Sequence, residues 1–178
     1  MSKAIQLHDK QFVPFMSADK IQHAIQSLGA QLNKDYAGKD PLFIGVLNGS
    51  FLFVADLVRT FEENCEVSFI KMASYEGTGS TGTVTELIGL KENIKDRDVI
   101  ILEDIVDTGN TLEKIHTVLM THAPKSLEIA TLLFKPNAYT KNIPVKYAAL
   151  EVGNEFLVGY GLDYDGLGRN LKDIYIIN

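Results

Sequence analysis

The sequence predicts an α/β protein with a central, mainly parallel sheet flanked by helices. Two segments carry this prediction. Each contains a short apolar run, then a small polar turn, then a segment whose apolar residues recur at helical spacing. The apolar runs are Leu42–Leu47 and Val99–Leu102. Continuous hydrophobicity of this kind is typical of strands buried on both faces of a parallel sheet. We expect residues 1–178 to form one domain.

Composition and charge place the chain among ordinary globular proteins. Of its 178 residues, 46% are hydrophobic and 22% are charged, and the formal net charge is −6. This acidic balance argues against a dedicated surface for nucleic acid or anionic membrane. Cys65 is the only cysteine, so no internal disulfide can form, and the first residues show no signal-peptide pattern. We therefore expect a cytosolic protein without a membrane segment.

The N-terminal third is expected to supply packing elements. Ser17 is typical of a helix N-cap, and Asp19 falls in the expected first turn. The apolar residues that then recur at helical spacing are Ile21, Ile25, Leu28 and Leu32. The turn Asn48-Gly49-Ser50 follows the strand Leu42–Leu47. We expect it to lead into a helix that carries the apolar residues Phe51, Val54, Ala55, Val58 and Phe61.

A glycine-rich segment lies between two expected strands. Gly77, Gly79 and Gly82 match the G-x-G-x-x-G pattern of dinucleotide-binding sites. That motif should open a helix, whereas Val84–Ile88 is β-branched and alternating, which predicts a strand. We therefore reject a dinucleotide site. A polar loop over about residues 74–83 is the remaining interpretation, either an inert hairpin or a lid.

The strongest functional signal is the polar run that follows Val99–Leu102. Two carboxylates, Glu103 and Asp104, stand side by side where this strand is expected to reach the surface. A run of small polar residues follows over 107–111, and a helix is expected from Leu112. The order is therefore strand, acidic pair, polar loop and helix N-terminus.

This order has the properties of a ribose-phosphate site. The first amides of a helix have no intrahelical partner and favour an anion, and the hydroxyls of Thr108 and Thr111 can donate as well. Glu103 and Asp104 can accept hydrogen bonds from sugar hydroxyls or hold a hydrated divalent cation. A structural alternative fits the composition equally well. In it the two carboxylates solvate a strand end, while Asp107 or Thr111 caps the helix.

The ordered run Glu103-Asp104-Ile105-Val106-Asp107-Thr108-Gly109-Asn110-Thr111 resembles the phosphoribosyl-pyrophosphate signature of the purine phosphoribosyltransferases, in the version found in hypoxanthine-guanine phosphoribosyltransferases. The resemblance extends from about Leu47 to Arg169. It implies the type I phosphoribosyltransferase fold, with a small hood built from the N-terminal segment and about residues 151–178.

The resemblance also implies a reaction. The phosphoribosyl group of 5-phosphoribosyl 1-pyrophosphate would move to N9 of a 6-oxopurine, hypoxanthine or guanine, in purine salvage. The products would be IMP or GMP and pyrophosphate. The family uses Mg²⁺, and its members are usually homodimers or homotetramers.

Roles for the motif follow from the same resemblance. Glu103 and Asp104 would bind the ribose hydroxyls and Mg²⁺, and Asp107 is the candidate general base for the purine N7 proton. The loop that would hold the 5-phosphate consists of Asp107, Thr108, Gly109, Asn110 and Thr111. The turn Asn48-Gly49 would bind pyrophosphate through backbone amides. Many members carry a lysine where this chain has Asn48, so that side-chain charge is missing here.

Five residues in the last quarter of the chain match the purine-binding and pyrophosphate-binding positions. Lys135 would contact the base, and its ammonium can only donate, which favours a 6-oxo group over the 6-amino group of adenine. Phe156 would stack on the base, and the Leu157 backbone would bind the purine edge. Asp163 would bind magnesium beside the purine, and Arg169 would contact the pyrophosphate. The structural alternatives are a solvated strand tip for Lys135 and a core aromatic for Phe156.

The loop of about residues 74–83 would be a lid by this resemblance, with Ser74 and Tyr75 at its start. Such a lid would close over the reacting centre and exclude water from a ribosyl cation.

Other functions stay open. One is a regulator of the same fold that binds phosphoribosyl pyrophosphate or nucleotides and acts on RNA, although the acidic net charge gives it little support. Others are a xanthine-preferring transferase and an orotate or uracil transferase, the last disfavoured by Lys135.

Overall fold

The computed structural model describes residues 3–76 and 83–178. These residues form three α-helices and ten β-strands. The helices are α1 (Ala18–Asp35), α2 (Phe51–Val58) and α3 (Asn110–Met120). The strands are β1 (Ile5–Leu7), β2 (Lys10–Met16), β3 (Leu42–Val46), β4 (Glu66–Glu76), β5 (Thr83–Ile88), β6 (Asp98–Val106), β7 (Ser126–Phe134), β8 (Tyr147–Glu151), β9 (Leu157–Val158) and β10 (Ile174–Ile177).

The larger sheet has the strand order β5-β4-β3-β6-β7-β8. Five of these strands run parallel, namely β4, β3, β6, β7 and β8. Strand β5 pairs with β4 at the edge in the antiparallel direction. This confirms the predicted mainly parallel sheet. Because the strands are parallel, the carboxyl ends of β3, β6 and β7 meet at one edge of the sheet, which is where ligands bind in open α/β folds.

The second sheet joins the two ends of the chain. Its order is β1-β2-β10-β9, with antiparallel pairing throughout. Its strands come from the first 16 residues and from the segment after residue 156, as predicted for the hood.

Helices cover both faces of the parallel sheet. On one face, Ile100 and Leu102 of β6 pack in the same core cluster as the predicted apolar face of α1. On the other face, Val99 and Ile101 pack with α3. The four residues Val99–Leu102 are each 0% exposed, which confirms the buried central strand. Ser17 caps α1, its side chain accepting a hydrogen bond from the Lys20 amide, as predicted.

Three predicted boundaries were wrong. Helix α2 ends at Val58, so Phe61 lies beyond it, and Phe51 is exposed rather than buried. The sequence did not predict this, because the helix is apolar on most of its circumference and the spacing of its apolar residues defines no single buried face. Strand β4 continues to Glu76 and β5 begins at Thr83. Ser74 and Tyr75 therefore lie in a paired strand, opposite Thr85 and Val84, and not in a loop. The rest of the predicted lid, residues 77–82, lies outside the described residues.

The third wrong boundary is at the central motif. Strand β6 pairs with β7 as far as Val106, so Glu103 and Asp104 lie inside a strand rather than at its end. Helix α3 begins at Asn110, two residues before the predicted Leu112, because the polar residues of its first turn hid its start. In the described part of the chain, no helix has the length and hydrophobicity that crossing a membrane requires.

Candidate active site

The site lies at the carboxyl edge of the parallel sheet. The turn of residues 47–50 follows β3, the loop of residues 107–109 follows β6, and Lys135 follows β7. The Lys135 amide donates to the Val106 carbonyl at 2.9 Å, which joins the ends of β6 and β7. The topology therefore brings together three segments that are far apart in the sequence.

A small cavity of about 110 Å³ lies between the end of β6 and the start of α3. Its walls are Glu103 and the segment Ile105–Leu112. The residue that precedes α3 is Gly109, at φ 83°, and none of the described side chains caps the helix there. The structural alternative for Asp107 and Thr111 as caps is therefore wrong. The first amides of α3 are left without a side-chain acceptor, and uncapped amides of this kind bind phosphate.

Gly109 is required by its surroundings as well as by its backbone angle. A Cβ at this position would lie 2.4 Å from Cε2 of Tyr139 and 2.8 Å from Cγ of Lys141. The Thr108 carbonyl accepts hydrogen bonds from the amide and the hydroxyl of Thr140, at 3.4 Å and 3.3 Å. Sequence reasoning missed this wall of residues 139–141. No periodicity or motif joins it to the loop, and only the fold brings the two together.

Lys135 forms an ion pair with Asp107, which is one of the residues that line this cavity. The distance from Lys135 Nζ to Asp107 Oδ2 is 2.8 Å. The Lys135 side chain is 8% exposed and the Asp107 side chain 48%. The structural alternative of a solvated strand tip for Lys135 is therefore wrong. A buried ammonium needs a partner, and the half-exposed Asp107 supplies it while remaining open to a ligand.

Glu103 is buried and Asp104 is only partly exposed, so the structural alternative in which both carboxylates solvate a strand end is wrong for Glu103. Glu103 is 7% exposed, and burial together with the charge of Asp104 raises its pKa well above the usual range. Burial raises the pKa of Asp104 to about 6. Two groups act against this increase: the Ile105 amide, which donates to Asp104 Oδ1 at 2.9 Å, and the Arg169 guanidinium. Both carboxylates would gain from a bound cation or a hydroxyl donor.

The turn after β3 packs directly on Asp104. A Cβ at Gly49 would lie 1.7 Å from Asp104 Oδ2, so this position accepts only glycine while Asp104 keeps its conformation. Ser50 Oγ donates to the Val46 carbonyl at 2.6 Å and so closes the turn, in which the Leu47–Asn48 peptide is cis.

The hood contacts the same turn through its own tight bend. Gly161, at φ 99°, would place a Cβ 2.1 Å from the Gly49 carbonyl oxygen. Arg169 donates to the Gly161 carbonyl at 2.6 Å, and its other terminal nitrogen lies 2.6 Å from Asp163 Oδ1. The charges of Arg169 and Asp163 both act on Asp104. Residues predicted to bind pyrophosphate and metal therefore lie beside the acidic pair.

Phe156 and Leu157 lie in the hood. Phe156 is 47% exposed, with the rings of Phe12 and Tyr164 at centroid distances of 6.4 Å and 5.8 Å. It is therefore not the core aromatic of the structural alternative. Leu157 is buried and pairs with Ile176 of β10. Among the described residues, no ring contact joins Phe156 to the motif.

The site is not a ready-made metal centre. Among residues 3–76 and 83–178, no cluster of three His, Cys, Asp or Glu side chains could hold a metal ion. Both oxygens of Asp163 already accept hydrogen bonds or ion pairs, from the Gly166 amide at 2.7 Å and from Arg169.

Comparisons with known proteins agree with this geometry. Residues 17–165 match the family model of the phosphoribosyl transferase domain. The hypoxanthine-guanine phosphoribosyltransferase of Staphylococcus aureus strain Mu50 is 43% identical over 160 residues, which is 89% of each chain. The protein of the same name from Streptococcus pneumoniae strain R6 is 42% identical over 163 residues, or 91% of each chain.

Solved structures give the same result. A crystal structure of a hypoxanthine phosphoribosyltransferase from Staphylococcus aureus matches with a TM-score of 0.85 at 41% identity, over 93% of this chain and 91% of that one. A hypoxanthine-guanine phosphoribosyltransferase from Bacillus anthracis matches with a TM-score of 0.83 at 32% identity, over 93% and 96%. The chain therefore belongs to the phosphoribosyltransferase family, and its predicted resemblance to the hypoxanthine-guanine members is confirmed.

Proposed function

We propose that the chain transfers the phosphoribosyl group of 5-phosphoribosyl 1-pyrophosphate to N9 of hypoxanthine or guanine, giving IMP or GMP and pyrophosphate. One observation carries this proposal. A buried lysine, Lys135, is ion-paired at 2.8 Å with Asp107, which lines a cavity together with the first residues of α3. The Lys135 ammonium, which can donate to a purine carbonyl, thus lies beside the Asp107 carboxylate, which can accept a purine proton. The first amides of α3 nearby can bind an anion.

The donor would lie along the carboxyl edge of the sheet. Its 5-phosphate would bind the amides and hydroxyls of the loop Asp107–Thr111, and its ribose hydroxyls would donate to Glu103 and Asp104. Its pyrophosphate would bind the amides of the Asn48-Gly49 turn and the Arg169 guanidinium. The contact of Gly49 with Asp104 supports this order, because it makes the pyrophosphate and ribose positions adjacent.

We propose Mg²⁺ as the cofactor, with Glu103, Asp104 and Asp163 as its candidate ligands. In the described part of the chain these side chains do not form a ready-made metal cluster, so substrate oxygens and water would complete the coordination, as is usual for Mg²⁺. When bound, the ion would neutralise charge on the leaving pyrophosphate. The charge balance supports this: Asp107 and Asp163 each have a cation partner, whereas in the described part of the chain Glu103 and Asp104 form no ion pair. Two neighbouring carboxylates without a cation suit a divalent ion.

The purine would lie between the hood and the end of β7. Lys135 would donate to its 6-oxo oxygen, Phe156 would stack on the ring, and the Leu157 backbone would bind its edge. As N9 forms its bond to C1 of the ribose, the C–O bond to pyrophosphate breaks and the leaving group keeps that electron pair. Asp107 would accept the N7 proton, because positive charge builds on the ring during the attack.

A pyrophosphate-release assay with Mg²⁺, 5-phosphoribosyl 1-pyrophosphate and each of five bases tests the proposal. We expect release with hypoxanthine or guanine and none above background with adenine or uracil. Release with xanthine alone would instead support the xanthine-preferring alternative, and release with uracil alone the pyrimidine transferase. RNA binding in a gel shift, without release for any base, would support the regulator. Assembly as a homodimer or homotetramer stays a prediction, which light scattering would check.

A further inference from the structure

Three consecutive residues outside the motif form the outer wall of the proposed phosphate cradle. The Tyr139 ring lies against Gly109, and its hydroxyl is fixed by donation to the Ile143 carbonyl at 2.6 Å. Thr140 donates to the Thr108 carbonyl from both its amide and its hydroxyl. Lys141 places its Cγ on Gly109. The wall therefore contacts two consecutive loop residues from one side.

Lys141 contacts the loop and the helix at once. While its stem packs on Gly109, its Nζ lies 2.8 Å from Oε2 of Glu113. Glu113 lies in the first turn of α3, and its amide donates to the Gly109 carbonyl at 2.9 Å. The Lys141 side chain is only 18% exposed. Lys141 therefore spans the turn whose amides would hold the phosphate.

Glu113 poses an electrostatic problem for that site. A carboxylate in the first turn stabilises the helix dipole, but it also repels an anion bound to the same amides. The site already carries Glu103 and Asp104, so further negative charge would weaken the binding of a phosphate. The ion pair with Lys141 removes this repulsion.

We propose that Lys141 is a positioning residue of the phosphate cradle: it clamps the Gly109–Glu113 turn and neutralises Glu113, so that the amides of α3 are available to a 5-phosphate. The inference rests on the proposed function and deepens it. It assigns part of the phosphate affinity to a residue about 30 positions beyond the motif.

The test compares ligands with and without the phosphate. Binding of IMP and of inosine is measured by calorimetry for the wild type and for Lys141→Met, which keeps the stem and removes the charge. We expect IMP to bind about 3- to 10-fold more weakly to the variant, with a similar rise in KM for the phosphoribosyl donor. The affinity for inosine and kcat should each change less than about twofold, since neither depends on the cradle.

Controls separate charge from packing. Lys125→Met removes a lysine that pairs with Asp98 at 3.0 Å, at the opposite end of β6, and should leave IMP binding unchanged. Lys141→Arg keeps the charge and should bind IMP nearly as tightly as the wild type. The double variant Glu113→Gln/Lys141→Met should recover most of the lost affinity, because the unpaired carboxylate is then absent.

Several results would overturn the inference. These are unchanged IMP affinity in Lys141→Met, an equal loss for IMP and inosine, or no recovery in the double variant. If thermal melting shows that Lys141→Met is not folded, the test uses Glu113→Gln alone. This variant lacks the repelling carboxylate, so weaker IMP binding by it would overturn the inference. A wild type that binds no IMP would remove the proposed function as well, whereas an active wild type with an unaffected Lys141→Met removes this inference alone.

Discussion

Replacing Asp107 by asparagine tests the assignment of the general base. The amide keeps the size of the carboxylate and can still accept a hydrogen bond from Lys135 Nζ, which lies 2.8 Å from Asp107 Oδ2. It cannot accept the purine N7 proton. General-base catalysis typically contributes 10²- to 10⁴-fold, so we expect kcat to fall by about 10²-fold or more with little change in the KM for either substrate.

We expect Asp107→Asn to lower the stability of the fold only slightly. It leaves the ammonium of Lys135, 8% exposed, without a charged partner, and Asp107 itself is 48% exposed. A pair with one half-exposed member is screened by solvent, so we expect a loss of ~1 kcal/mol in the free energy of unfolding. Pyrophosphate release under saturating substrates measures kcat, and urea unfolding measures the stability.

A matched control uses the other end of the same two strands. Asp98 at the start of β6 pairs with Lys125 at 3.0 Å and accepts from Ser126 Oγ at 2.6 Å. Asp98→Asn should lower stability and leave kcat unchanged. If Asp107→Asn behaved like Asp98→Asn, keeping kcat within about threefold of the wild type, Asp107 would be a structural loop residue and the assignment would be refuted.

Three further substitutions probe the contacts around the site. Gly49→Ala would place a Cβ 1.7 Å from Asp104 Oδ2 and displace that carboxylate, so kcat/KM for the donor should fall ~10- to 100-fold in steady-state assays. Tyr160→Phe removes a hydroxyl that donates to Asp56 Oδ2 at 2.5 Å. It should therefore lower the free energy of unfolding in urea by ~1–2 kcal/mol. Burial raises the pKa of Asp104 from 3.8 to about 6, so without metal its ionisation destabilises the fold progressively as the pH rises from about 4 through 6. Asp104→Asn removes this titration. The free energy of unfolding of the variant minus that of the wild type should therefore rise by ~1–3 kcal/mol between pH 4 and 6, as measured by unfolding titrations. A difference that does not change with pH would contradict the raised pKa of Asp104.

The sequence predicted the elements whose residues carry a pattern within one segment, such as the central strand and helix α1. The continuous run Val99–Leu102 indicated a buried parallel strand, and the cap at Ser17 with its apolar face indicated α1. Both are confirmed. The order of motif residues from Glu103 to Thr111 likewise predicted a strand, a polar loop and a helix N-terminus in succession, and the structure places a cavity at this loop.

The features that were missed depend on pairing between distant segments. Glu103 was expected at the surface, but its strand continues because it pairs with Thr131 of β7, and that pairing leaves no local trace. Tyr75 was expected in a loop because it lies in a polar run, yet its backbone pairs with Val84. The ion pair between Lys141 and Glu113 joins residues 28 positions apart, and no spacing rule covers such a separation.

A crystal structure of the chain with bound IMP tests the central claim most directly. We expect the 5-phosphate to lie within hydrogen-bond distance of the amides of Thr108–Thr111, and the 6-oxo oxygen of the purine to lie within hydrogen-bond distance of Lys135 Nζ. IMP bound in another crevice, with the loop after β6 left empty, would contradict the account.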